Sequence, residues 1–204
     1  MGIFDKLVRR ASDPEAIEEL RDQVVLWVSP GFYSRGEVLV SAQEFRDGDE
    51  MPVIDRQLEQ VVDEVWQARL AEQQGWAERT DADKVAAAFA ELDAAGVIAR
   101  MNFTCCQTCG VAEIDDERPA DRPTSGYVFF HQQDSERLVD DQALLYLAYG
   151  TLDPVPGQVA EQDAEVGRQI ETALRTQGVP VEWNGSSQQR ISVGPINWQR
   201  RLPA

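Results

Sequence analysis

The apolar residues of this 204-residue chain recur mainly at helical spacing in its first half, and that limits the folds open to it. In the second half they come mainly in short strand-like runs closed by glycines and turn residues, with one helical stretch among them. Asp13 and Pro14 form a helix start, with Asp13 as cap and Pro14 at the first helical position. Ile17, Leu20, Val24, Trp27 and Val28 follow along one stripe that ends at Pro30-Gly31. Ile54, Leu58, Val61, Val62, Val65, Trp66 and Leu70 give the longest helical face, over residues 54–76. Thr80 and Asp83 resemble a capping box with Asp in place of Glu or Gln, ahead of Val85, Ala88, Phe89 and Leu92. Gly96 suits the left-handed position after a helix. Residues 37–41 interrupt the helical pattern and read as a short strand.

In the second half, residues 97–103, 127–131 and 143–149 read as strands, and residues 111–117 as a short acidic helix. The two aromatic-rich strands lack clean alternation, so they are expected to pair with each other and to be covered on both faces. Residues 161–177 carry Val166, Ile170, Ala173 and Leu174 at helical spacing, and strands at 179–183 and 190–193 flank Asn184-Gly185. The expected class is α+β: a helical N-terminal half followed by a mainly antiparallel sheet with a packed helix. Residues 1–80 form the helical segment and residues 81–204 the cysteine-bearing α+β part, with a soft boundary and one compact unit expected.

Hydrophobic residues make up 43% and charged residues 27%, a globular composition. The formal net charge of −17 argues against nucleic acid, whose phosphates need clustered Lys and Arg. It also allows a protein partner with a basic surface, as an immunity or inhibitor protein would have. The longest apolar run falls far short of a membrane span, and no secretory signal is expected. Near the start, Phe4, Leu7 and Val8 lie at helical spacing beside Lys6, Arg9 and Arg10. That stretch is too short for stable anchoring and reads as a packed or frayed terminal helix rather than a membrane contact.

All three cysteines fall within NFTCCQTCG, as Cys105, Cys106 and Cys109. An odd number in so tight a group is not a secreted disulfide framework and fits a reducing, cytoplasmic setting. The leading reading is a metal site. Two thiolates two residues apart can face one ion, and the following Gly110 accommodates a tight backbone. Cys105, Cys106, Cys109 and His131, the single histidine, make up a Cys3His count for Zn2+. Cys105 and Cys106 diverge if the strand continues through them, so either the chain turns at Cys105 or Cys105 is core. Asp134 is placed to orient the other nitrogen of His131. The second reading is redox: a C-x-x-C after a strand, with Cys106 as nucleophile, Cys109 as resolving thiol and His131 as base. The third is inert packing. No Walker loop, dinucleotide glycine pattern, H-E-x-x-H or G-x-S-x-G is present. Arg200 and Arg201 read as a solvated tail.

The runs GVIARMNFTCCQTCG, GYVFFHQQDSE, LLYLAYG and PVEWNGSSQQRISV, over residues 94–198, resemble a family of uncharacterised bacterial proteins known only as a domain of unknown function. The N-F-T-C-C-x-x-C-G core and the following F-F-H-Q-Q-D segment carry the likeness. The resemblance implies an intracellular bacterial protein and carries over no activity, cofactor or catalytic residue. The functional expectation is a binding or regulatory module with a Cys/His metal site, against a thiol redox enzyme or an acidic inhibitor of a basic partner.

Overall fold

The computed structural model describes residues 13–203. The expected helix around Phe4 to Arg10 lies outside the described residues. The chain divides into two compact units, one of residues 13–77 with 199–203 and one of residues 78–198.

The first unit is built from α1 (Pro14–Val28), α2 (Arg35–Gly48) and α3 (Asp55–Gln73). Asp13 caps α1 by accepting from the Glu15 N–H at 3.1 Å, and Pro14 takes the first turn as its sequence requires. Residues 37–41 are not a strand; they lie inside α2. Ser34 Oγ accepts from Glu37 N at 3.3 Å and the Glu37 carboxylate accepts from Ser34 N at 2.7 Å, a complete capping box. That box and the burial of Val38 and Ala42 on one helix face outweigh the strand preference of Val38-Leu39-Val40. Leu20, Val24 and Val28 of α1 pack with these and with Leu58, Val61, Val62 and Trp66 of α3. Ile54 precedes α3 as its cap residue and Leu70 sits on its outer side; both are exposed. The C-terminal residues are not a solvated tail. Leu202 joins this core, Arg200 lies 4.7 Å over the Phe32 ring, and Arg201 donates to the Ala77 carbonyl at 2.8 Å.

The second unit opens with α4 (Asp81–Ala94), started by the Thr80–Asp83 capping box, and Gly96 takes a φ of +91° after it. Five strands follow: β1 (Val97–Arg100), β2 (Gly126–Phe129), β3 (Ala143–Thr151), β4 (Val181–Glu182) and β5 (Ile191–Ile196). Their spatial order is β1-β2-β3-β5-β4, with β1 and β2 parallel and every other pair antiparallel. The class is therefore α+β with a mostly antiparallel sheet. β2 and β3 pair as expected, in a register that sets Tyr127 opposite Gly150 and Phe129 opposite Ala148.

Between β1 and β2 lies α5 (Gln107–Glu113), continued by a 3-10 turn, Ile114–Glu117. The long helix α7 (Val159–Thr176) packs on β3 and against α4. A Cβ on Gly126 would meet Val166 of α7, so Gly126 and Val128 face that helix. Tyr127 and Phe129 face the other way, where Ile98, Ile114 and Ala148 form a core with Phe103 and Leu152. Both faces of β2 are covered, as its apolar run suggested, but Leu144 near the start of β3 is exposed.

After β2 the chain turns through α6 (Gln132–Ser135) into a 3-10 turn, Glu136–Val139. His131 is the residue before α6, and its Nδ1 accepts from the Asp134 N–H at 3.3 Å. Its Nε2 lies 3.0 Å from Asp134 Oδ2. Arg190 closes the other side of Asp134 with two bonds, 3.1 Å to Oδ1 and 2.6 Å to Oδ2, and also donates to the Tyr146 carbonyl. The carboxylate is 2% exposed. Burial lowers the His131 pKa from its ordinary value, Arg190 and Arg137 lower it further, and Asp134 opposes them. His131 is thus held neutral.

Two outcomes follow from this network. Asp134→Asn leaves the Arg190 charge without its carboxylate and costs about 3 kcal/mol in urea unfolding, below the largest values for buried pairs because Arg190 keeps some solvent. Since the folded His131 pKa is lowered, the contribution of its neutral form is complete above an unfolded value of about 6.5. It is lost as pH falls from there through the folded pKa. The urea midpoint should drop between pH 7.5 and 5, and His131→Gln should flatten that part of the profile.

Candidate metal centre

The cysteine loop is placed by a ladder that outlasts β1. Past Arg100, the Phe103 N–H donates to the Phe130 carbonyl at 2.8 Å, and Gln132 N–H donates to the Thr104 carbonyl at 3.1 Å. Ser135 Oγ adds a 2.8 Å bond to the Asn102 side chain. Residues 102–104 therefore run beside residues 130–135, tied at both ends. To do so the backbone takes positive φ twice, +53° at Asn102 and +56° at Thr104. Asn tolerates that region; a β-branched Thr does so only where its surroundings impose it. Thr104 Oγ1 donates to the Cys106 carbonyl at 3.2 Å and fixes the bend.

This bend answers the question that adjacent cysteines raise. The strand ends at Arg100, the chain has turned by Thr104, and Cys105 is exposed rather than core. Cys106, in extended backbone, becomes the residue before α5, and its carbonyl accepts from Gly110 N at 3.0 Å. The helix places Cys109 one turn on. The Sγ atoms of Cys105, Cys106 and Cys109 all lie within 4.8 Å of one another, with Cys105 and Cys109 3.4 Å apart. All three thiols are free.

Helix α5 is positioned by Gly110. A Cβ there would come within 2.5 Å of the Phe129 ring, so the bare backbone rests on a fully buried aromatic. Phe103 meets the same ring edge-on at 5.8 Å. One aromatic side chain thus touches both limbs of the loop, before and after the cysteines.

Cys106 and Cys109 differ electrically. The Cys106 thiol is held below its ordinary range, first by the Cys109 backbone N–H, then by the Cys109 and Cys105 S–H groups. The Cys109 thiol is pushed up to about 12, chiefly because its proton is shared with the sulfurs of Cys105 and Cys106. The same contacts thus move Cys106 and Cys109 in opposite directions. Three sulfurs at this separation can hold one metal ion.

Of the four residues expected at the site, the structure groups Cys105, Cys106 and Cys109. Among the described residues, the side chains in that cluster are these three cysteines alone, and His131 is not in it. Its ring is turned to Asp134, as described above, although its backbone neighbours pair with the loop. Asp134 engages both ring nitrogens of His131, its N–H at Nδ1 and its carboxylate at Nε2, rather than orienting one of them and leaving the other to an ion. Three contributors escaped sequence reasoning. Arg190 lies 56 positions from Asp134, so no local pattern could join them. The strain at Thr104 runs against its residue type. The Phe129–Gly110 contact was signalled only by a glycine directly after a cysteine.

Among the described residues, no helix is long and apolar enough to cross a membrane. No curated protein and no solved structure matches the chain. A family model described as a domain of unknown function (DUF6891) matches residues 13–202. That span takes in both compact units and the cysteine loop, and the chain belongs to this family.

Proposed function

We propose that the protein is a metal-binding regulatory module whose centre is the thiol cluster of Cys105, Cys106 and Cys109, with Zn2+ as the reference ion. The observation that carries this reading is the convergence of three sulfurs within 4.8 Å on a loop bent at Asn102 and Thr104. Packing does not account for it, since Cys105 is exposed and the other two are half-buried. Three thiolates leave one zinc position to a ligand from outside the cluster. His131 could take it only by giving up its contacts with Asp134. Free thiols near the surface fit a reducing, cytoplasmic setting. The acidic chain suits a partner with a basic surface, recognised according to whether the centre is loaded.

A second reading has an observation of its own. The lowered Cys106 pKa, with Cys109 adjacent, is the arrangement of a thiol nucleophile and its resolving partner. It predicts that Cys106 alkylates faster than Cys105 near pH 7, although Cys105 is the more exposed.

Metal analysis tests the main reading. Protein purified under reducing conditions without a metal-binding tag should hold about one zinc per chain, lost in Cys106→Ser and in Cys109→Ser. At a free ion concentration of about 100 Kd, binding adds about 2.7 kcal/mol. Chelation should therefore lower the melting temperature by about 5–10 °C. A melting curve indifferent to both chelator and zinc would dismiss the metal centre. Gly110→Ala tests its support. Overpacking against Phe129 costs about 1–3 kcal/mol, which exceeds the gain of up to about 1 kcal/mol that alanine brings to a helix. The variant should lose both stability and zinc affinity, and Phe129→Leu in the same chain should restore part of each.

A further inference from the structure

The ligand set has a chemistry narrower than metal binding in general. Its members are all sulfur, and all lie between positions 105 and 109. Sulfur ligands select soft, thiophilic ions. A structural zinc site closes with four protein ligands, whereas this cluster offers three thiols at a partly exposed position. The single histidine, His131, is engaged with Asp134, which Arg190 holds in turn. An ion that needs three sulfurs and no fourth ligand fits the set without change to that network.

Charge narrows the choice again. Three thiolates around a divalent ion leave one net negative charge, and around a monovalent ion two. A trivalent ion leaves none. The chain already carries a formal charge of −17, so each added negative charge works against the rest. We infer that the Cys105–Cys106–Cys109 loop binds trivalent arsenic as a three-coordinate thiolate complex, in preference to divalent metals. This rests on the metal-centre reading above and names the ion class that the same three sulfurs favour.

The reaction balances with no further reagent. Neutral arsenous acid carries three hydroxyl groups. Each As–O bond is replaced by an As–S bond, and each thiol proton leaves with a hydroxyl as water. Three waters are released, arsenic stays trivalent and no cysteine is oxidised. The bend at Thr104 and the first turn of α5 already hold the sulfurs together, so the loop loses little freedom on binding. The side away from the three sulfurs needs no ligand.

The test uses the full reduced chain, titrated in parallel with sodium arsenite and with zinc. Native mass should show one arsenic added and three hydrogens lost. A chromogenic thiol reagent should find all three cysteines protected. Each of Cys105→Ser, Cys106→Ser and Cys109→Ser should weaken arsenite binding by more than about tenfold, 1.4 kcal/mol. His131→Gln should leave it unchanged. In competition, arsenite should displace zinc. One result overturns the inference and leaves the metal centre standing: zinc bound at one per chain while arsenite protects two thiols or none. Dependence of arsenite binding on His131 would overturn the three-sulfur set. If neither ion binds, the metal centre and this inference fall together.

Discussion

Phe129 is fully buried on the sheet face that carries α5, and the position of every cysteine depends on what its ring touches. On one side it meets Phe103, which precedes the bend; on the other it meets Gly110, which follows Cys109. The ring is held by strand pairing on both sides, since Arg100 lies opposite Phe129 in β1 and Ala148 opposite it in β3. The sheet therefore sets the ring, and the ring sets the two limbs of the loop. The limbs cannot separate without opening this core. A loop supported in this way can keep three polarizable sulfurs near the surface without the backbone fraying around them.

The same segment joins the thiol cluster to the Asp134–Arg190 ion pair. Residues 130–132 bond the loop through Phe130 and Gln132, while His131 between them turns its ring to Asp134. Asp134 is in turn tied to β5 territory by Arg190. Buried charge pairs contribute little net stability but are costly to break, so they fix one arrangement over its neighbours. Here the arrangement fixed is the path of residues 130–135, against which the cysteine loop is laid. His131 then matters to the centre through its place in the chain rather than through its nitrogens.

Much of this was legible wherever the signal was local. The Asp13-Pro14 start, the Thr80–Asp83 capping box and the left-handed Gly96 each depend on residues within a few positions of one another. The face of α3 from Leu58 to Trp66 likewise needed only its period. Residues 37–41 misled because Val38-Leu39-Val40 has strand preference, while the Ser34–Glu37 box that decides the matter sits upstream of it. The grouping of the cysteines was visible in their spacing, but the convergence of Cys105 with Cys106 was not. It depends on a Thr at positive φ, a conformation that its own residue type disfavours and that the pairing with residues 130–132 imposes. Arg190 reaches Asp134 only through the β3–β5 pairing, and no sequence window contains both.

That contrast bears on where chemistry is to be sought in this chain. Features dictated by local sequence are helix starts and stripes, and they build scaffold. Departures from local preference occur at several places, Glu50, Gln142 and Asp153 among them, and two of the positive-φ residues, Asn102 and Thr104, lie just ahead of the cysteines, with Gly110 under an aromatic ring just after them. Strain and buried polar groups persist when the surrounding structure holds them, and they gather where a fold has a use for them. Asn102, Thr104 and Gly110 flank the five residues that hold the cysteines, and Gln132 bonds Thr104 at their edge. The thiols alone would be a weak argument, because cysteines also pack as small hydrophobes. Cys105 breaks that explanation: it is exposed, it gains nothing from packing, and the bend at Thr104 brings its sulfur to 3.4 Å from that of Cys109. A backbone held against its preference brings an exposed sulfur to two others, and three sulfurs so placed could hold one metal ion.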